Sequence, residues 1–159
     1  YVPIATQTLA SASTSVTFSS IPQTYTDLRL VVVAEASGTT VDVVIQFNSD
    51  TGTNYSETDL YGTGSAASSV RYSNANQIGI LGSGTANEVL MTRVFLNNYS
   101  NTTTYKTVLM RANNAQGGCD ATVGLWQNTS AINRLDITLP APSYFMNGST
   151  FRLYGIASA

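Results

Sequence analysis

Apolar residues recur at every second position through most of the chain, and no stretch of ten or more residues carries the 3.6-residue period of an amphipathic helix. That regularity restricts the chain to β-strands, because only a pleated backbone sends alternate side chains to opposite faces. In TDLRLVVVAE, Leu28, Leu30, Val32 and Ala34 share one phase; in VDVVIQF, Val41, Val43, Ile45 and Phe47 do. Val31, Val33 and Val44 make the opposite phase apolar as well, so these two strands should be covered on both sides, by the fold or by a partner. Similar runs hold Leu90, Val94 and Leu96; Val108, Met110 and Ala112; Ala121, Val123 and Leu125; Leu135, Ile137 and Leu139; and Phe151 and Leu153. In the last three, the charged residues fall out of phase with the aliphatics, which predicts aliphatics inward and charges outward. Shorter candidates at 4–10, 14–18 and 77–82 bring the expected total to about nine or ten strands, separated by turn signals such as NSDTGTN, GTGS and PAPSY. The expected fold is all-β, a two-sheet antiparallel sandwich of jelly-roll type, forming one domain over 1–159.

Only 10% of the residues are charged while 40 of 159 are Ser or Thr, so the solvated faces must be built from hydroxyls and amides. The formal charge is −2, and one lysine (Lys106) with six scattered arginines offers no basic stripe, which argues against direct nucleic-acid binding. The start YVPIATQTLA lacks the basic and apolar regions of a secretory leader, and no run reaches the ~18–20 apolar residues of a membrane span. Neither export nor a membrane partner is therefore expected. Histidine is absent, which removes Ser-His-Asp and Cys-His catalysis and imidazole metal ligation, and no enzymatic activity is expected.

Several residues still invite a chemical reading. Asp50-Thr51-Gly52 matches the aspartic-protease triplet, but a shared-proton carboxylate pair needs apolar flanks, and here the flanks are Asn48, Ser49, Thr53 and Asn54. A turn, with Gly52 at positive φ, is the expectation. Asp50, Asn54, Glu57 and Asp59 could supply oxygens to calcium, which needs six to eight. The preferred local alternative is a capping box, with Ser56 as N-cap and Asp59 three positions on, opening one helical turn that Gly62 ends. No cofactor is expected, calcium being left open. Cys119 reads as a small buried hydrophobe and Lys106 as an outward, solubilising strand residue. Tyr55, Tyr61, Tyr72, Tyr99 and Tyr144 sit in or beside expected loops, where they could stack on sugars, anchor protein contacts or staple loops to the core.

Four segments, YVPIATQTLASASTSVTFSSIPQTYTDLRL, IQFNSDTGTNYSETDLYG, GLWQNTSAINRLDI and GSTFRLYGI, resemble in the same order blocks of small virion structural proteins of tailed bacteriophages, including cyanophages. The resemblance covers well over half of the chain. It implies a β-sandwich without enzymatic activity that assembles on the virion, often as a homotrimer, and it carries no catalytic or binding residue over. The role expected from it is capsid decoration: a cement protein on the capsid exterior, partnered by the major capsid protein and by itself. The apolar start Tyr1, Val2, Pro3 and Ile4 would then extend to a neighbour or to the capsid. The alternative role is a receptor- or glycan-binding module of a tail or head fibre, with the loop tyrosines and Asp50, Glu57 and Asp59 at its tip.

Overall fold

The computed structural model describes residues 1–38, 42–81, 88–114 and 117–157. They form twelve strands: β1 (Val2–Thr8), β2 (Ser15–Phe18), β3 (Asp27–Glu35), β4 (Asp42–Phe47), β5 (Tyr55–Gly62), β6 (Ala67–Ala75), β7 (Ile78–Leu81), β8 (Val89–Asn97), β9 (Lys106–Asn114), β10 (Gly118–Trp126), β11 (Leu135–Thr138) and β12 (Thr150–Ile156). Every pairing is antiparallel. One sheet has eight strands in the order β1-β12-β3-β8-β9-β10-β5-β6, the other four in the order β2-β11-β4-β7. Each strand of the smaller sheet lies in sequence between two strands of the larger one. The chain therefore crosses repeatedly between layers, giving the expected all-β, jelly-roll-type sandwich.

The core lies between the sheets, and the alternation predicts most of it. Leu28, Leu30, Val32 and Ala34 of β3 are buried, as are Leu90, Val94 and Leu96 of β8, Val108 and Met110 of β9, and Phe151 and Leu153 of β12. Phe47 and Ile45 of β4 and Ile137 and Leu135 of β11 close it from the smaller sheet. Burying each such side chain contributes about 1.5–3 kcal/mol, so the alternating phase is what selects this arrangement. Val41, assigned to the β4 face from sequence, lies outside the described residues.

Four expectations are corrected. Residues 56–62 form no capped helical turn: they belong to β5, which pairs with β10 from Trp126↔Tyr55 to Cys119↔Gly62. The ladder on both sides of β5 satisfies every backbone group that an N-cap would have served. Strand β10 is inverted. Thr122, Gly124 and Trp126 face inward, and Ala121 and Val123 face solvent. The cause is β7, which packs so close that a Cβ at Gly124 would stand 2.8 Å from Ile78 Cδ1, leaving no room there for an aliphatic residue. Lys106 is 1% exposed instead of outward; its Nζ donates to the carbonyls of Thr104 (2.8 Å) and Thr129 (3.1 Å), and burial lowers its pKa. Cys119, on the outward phase of β10, is exposed instead of buried.

Candidate functional site

The hydrogen-bonded turn runs from Phe47 to Asp50, with Asp50 N–H donating to the Phe47 carbonyl (2.9 Å), so it ends as the DTG triplet begins, and its strain sits elsewhere than expected. Positive φ falls on Asn48 (53°) and Ser49 (58°), while Gly52 is outside that region. Asn tolerates this conformation because its short side chain bonds locally; Asn48 donates to the Ala131 carbonyl and accepts the Asn133 and Arg134 N–H groups. The Asp50 carboxylate accepts from Gly52 N–H (2.9 Å), Asn54 Nδ2 (2.9 Å) and Trp126 Nε1 (2.7 Å). Burial raises its pKa, but the bonds from Trp126, Asn54, Gly52 and Asn128 outweigh that and leave it below the ordinary 3.8. Tyr55, stacked on Trp126 at 6.3 Å, donates to the Asp50 carbonyl (3.0 Å), and burial pushes its hydroxyl up to about 12.

Of the four residues considered for calcium, the fold brings Asp50 and Asn54 together and sends the other two elsewhere. Glu57 accepts the Gly79 N–H of β7, and Asp59 is buried inside β5 opposite Thr122. Among the described residues no three acidic or cysteine side chains converge on one point. Tyr55 and Tyr99 are fully buried, and Tyr99 donates to the Pro22 carbonyl, so of the three roles open to them these two take the stapling of loops to the core. Tyr72 and Tyr144 are exposed.

The amino-terminal residues expected to contact a partner join the edge of the larger sheet. Val2–Thr8 is an edge strand of the larger sheet, with Pro3 opposite Tyr154, and Ile4 packs against the core. Tyr1 is exposed, yet its ring meets Tyr154 edge-on at 6.3 Å and lies 5.0 Å from the Arg29 guanidinium, which also donates to its hydroxyl. Arg29 caps Phe95 at 4.6 Å on its other side.

The register of the larger sheet assembles the most distinctive surface of the molecule, one that alternation in single strands does not reveal. Residues directly opposite in neighbouring strands share a face. One outward row reads Arg71, Thr58, Val123, Leu109, Phe95, Arg29 and Tyr154 across β6, β5, β10, β9, β8, β3 and β12. The next reads Ser69, Leu60, Ala121, Arg111, Arg93, Val31 and Arg152. Five of the six arginines, scattered in sequence, thus share one face with exposed Leu60 (60%), Leu109 (49%) and Val123 (57%). Carboxylates in this phase occur only at the ends of β3, as Asp27 and Glu35. Arg134 is the exception among the arginines: on the smaller sheet it forms a bidentate pair with Asp136 (2.7 Å). Burial raises the Asp136 pKa, but Arg134, Thr17 and Ser49 bring it below the ordinary 3.8. Beside Arg93 and Arg111 the outer face dips into a recess of about 500 Å3, also lined by Leu60, Met91, Asn113, Cys119 and Ala121.

No protein-family model and no curated protein matches the chain. Solved structures similar in fold include the galectin LEC-6 of Caenorhabditis elegans, at 11% identity and a TM-score of 0.45, covering 91% of this chain and 93% of the galectin. A mutant of alginate lyase Aly36B bound to an alginate tetrasaccharide is similar at 9% identity and a TM-score of 0.39, covering 97% and 80%. The PL-14 alginate lyase of Aplysia kurodai is similar at 10% identity and a TM-score of 0.35, covering 85% and 72%. The likeness is one of overall fold, and no residue role passes from these proteins to this chain.

Proposed function

We propose that this chain is a non-enzymatic structural protein of a tailed-phage virion, a head-decoration protein that docks on major capsid subunits through the outer face of its eight-stranded sheet. The observation that carries the docking role is that face: three well-exposed aliphatics set among arginines, with carboxylates confined to its margin. Arg, Tyr and Phe are enriched at protein interfaces and Lys, Glu and Asp are depleted there, and these rows hold five arginines, Phe95 and Tyr154 with no Lys, Glu or Asp. The virion setting and the trimeric assembly rest on the sequence resemblance. Decoration also suits a passive module, since symmetry repeats a modest contact over a shell and needs no single strong site. The fibre-tip alternative loses two of its tyrosines, Tyr55 and Tyr99, to the core.

A protein gel of purified particles tests the reading. A decoration protein is expected at capsid-like abundance, and the variant carrying Leu109→Asp and Val123→Asp is expected to be missing from particles while remaining folded. Scarcity at the level of a tail fibre, or full incorporation of the double variant, would count against it.

A further inference from the structure

We infer that Arg93 and Arg111 form a carboxylate-binding cleft, and that its occupant is an acidic, aliphatic segment of a different protein, not a second copy of this chain. The inference deepens the docking role proposed above.

Arg93 and Arg111 stand directly opposite each other across β8 and β9. Like charges in that position are unfavourable in the free protein. Both guanidinium groups are exposed, and among the described residues neither joins an ion pair. Asp120 also borders the recess, but it belongs to the inward phase of β10 and makes an interaction of its own. A guanidinium holds a carboxylate bidentately through paired N–H donors, and an anion shared by these two neighbouring arginines would cancel the repulsion between them. Leu60, Met91 and Ala121 wall the same recess, so a ligand must bring apolar surface along with its negative charge.

The charge pattern identifies the source. Of the nine carboxylates of this chain, eight have described side chains: Asp27, Glu35, Asp50, Glu57, Asp59, Glu88, Asp120 and Asp136. Every one of them is buried or half-buried, so another copy presents no fully exposed described carboxylate to the cleft. Exposed aliphatics between the arginines likewise favour an acidic protein segment over a polyanionic chain, whose backbone would leave Leu60, Leu109 and Val123 uncovered.

Cys119, the single cysteine, lines the recess and is exposed, so its alkylation rate reports occupancy in the unaltered protein. The probes are acetyl-Glu-Leu-Glu-amide, its Gln-Leu-Gln analogue and an oligogalacturonate. The acidic peptide is expected to protect Cys119 saturably at millimolar concentration, with at least tenfold weaker protection by the neutral peptide. Arg93→Gln and Arg111→Gln should each abolish protection, while the melting temperature rises by about 1–3 °C as the repulsion is relieved. That opposite movement separates a binding pair from a structural one. The inference is overturned by absence of protection, by equal protection from both peptides, by tighter protection from the oligogalacturonate, or by a lower melting temperature in both variants. Peptide protection of a chain that is absent from virions would overturn the virion role and leave the cleft. A particle-bound chain without protection would do the reverse.

Discussion

Asp50 shows how one residue can carry a misleading motif and a clear physical task. Its carboxylate gathers donors from the turn behind it and from Trp126 at the end of β10, tying the β4–β5 connection to the larger sheet. Asp50→Ala strands those buried donors and is expected to cost about 1–3 kcal/mol, read as a lowered midpoint in urea. The pH dependence has a definite sign. Asp50 and Asp136 both have folded pKa values below 3.8, so their stabilisation is complete above that value and is lost as pH falls through the folded pKa values. Stability should therefore decline below about pH 4, and the decline should be shallower in Asp136→Asn. Trp126, the single tryptophan, should change its fluorescence over the same range in the wild-type protein and not in Asp50→Asn.

At the scale of elements, the sandwich is held apart or drawn together by side-chain size, and β7 is where the two sheets come closest. Gly124 on β10 faces Ile78 at a distance a larger residue would violate, and Gly79 on β7 lies tightly against Glu57, whose Oε1 would stand 3.1 Å from an added Cβ. Gly124→Val is expected to destabilise by about 1–3 kcal/mol through overpacking, with faster amide exchange concentrated in β7. Gly155→Ala should also destabilise, because its new Cβ would lie 2.3 Å from the Tyr25 ring. These close approaches explain what the sequence conceals. Strands β3, β8, β9, β11 and β12 were legible because their inward positions are aliphatic. Strand β5 was not, since its inward residues are Tyr55, Glu57, Asp59 and Tyr61, and a strand that is polar inside imitates a loop. The phase of β10 was misread for the complementary reason: the glycine that β7 requires is inward, while Val123 and Ala121 serve the outer surface. The outer face itself left one trace, arginines at 29, 93 and 111 in the same phase as Val31, Phe95 and Leu109, but only the strand order brings them together.

Across the whole molecule the two faces of the larger sheet divide the work. The inward face supplies stability, and the outward face spends little of its apolar area on the fold. Leu60→Ser, Leu109→Ser and Val123→Ser should each leave unfolding free energy within about 0.5 kcal/mol of wild type, as expected for exposed positions. Combined, they should remove the protein from particles in a gel of purified virions. Docking that relies on Arg93 and Arg111 should also weaken with ionic strength, so particles washed in molar salt should shed the protein more readily than in 0.1 M salt. The most direct test is alkylation of Cys119 with a thiol-reactive probe, compared between intact particles and the protein released from them. The outer face is predicted to be covered in the particle, so Cys119 should react at least tenfold more slowly there and regain its full rate on release. Equal rates in both states would contradict docking through this face.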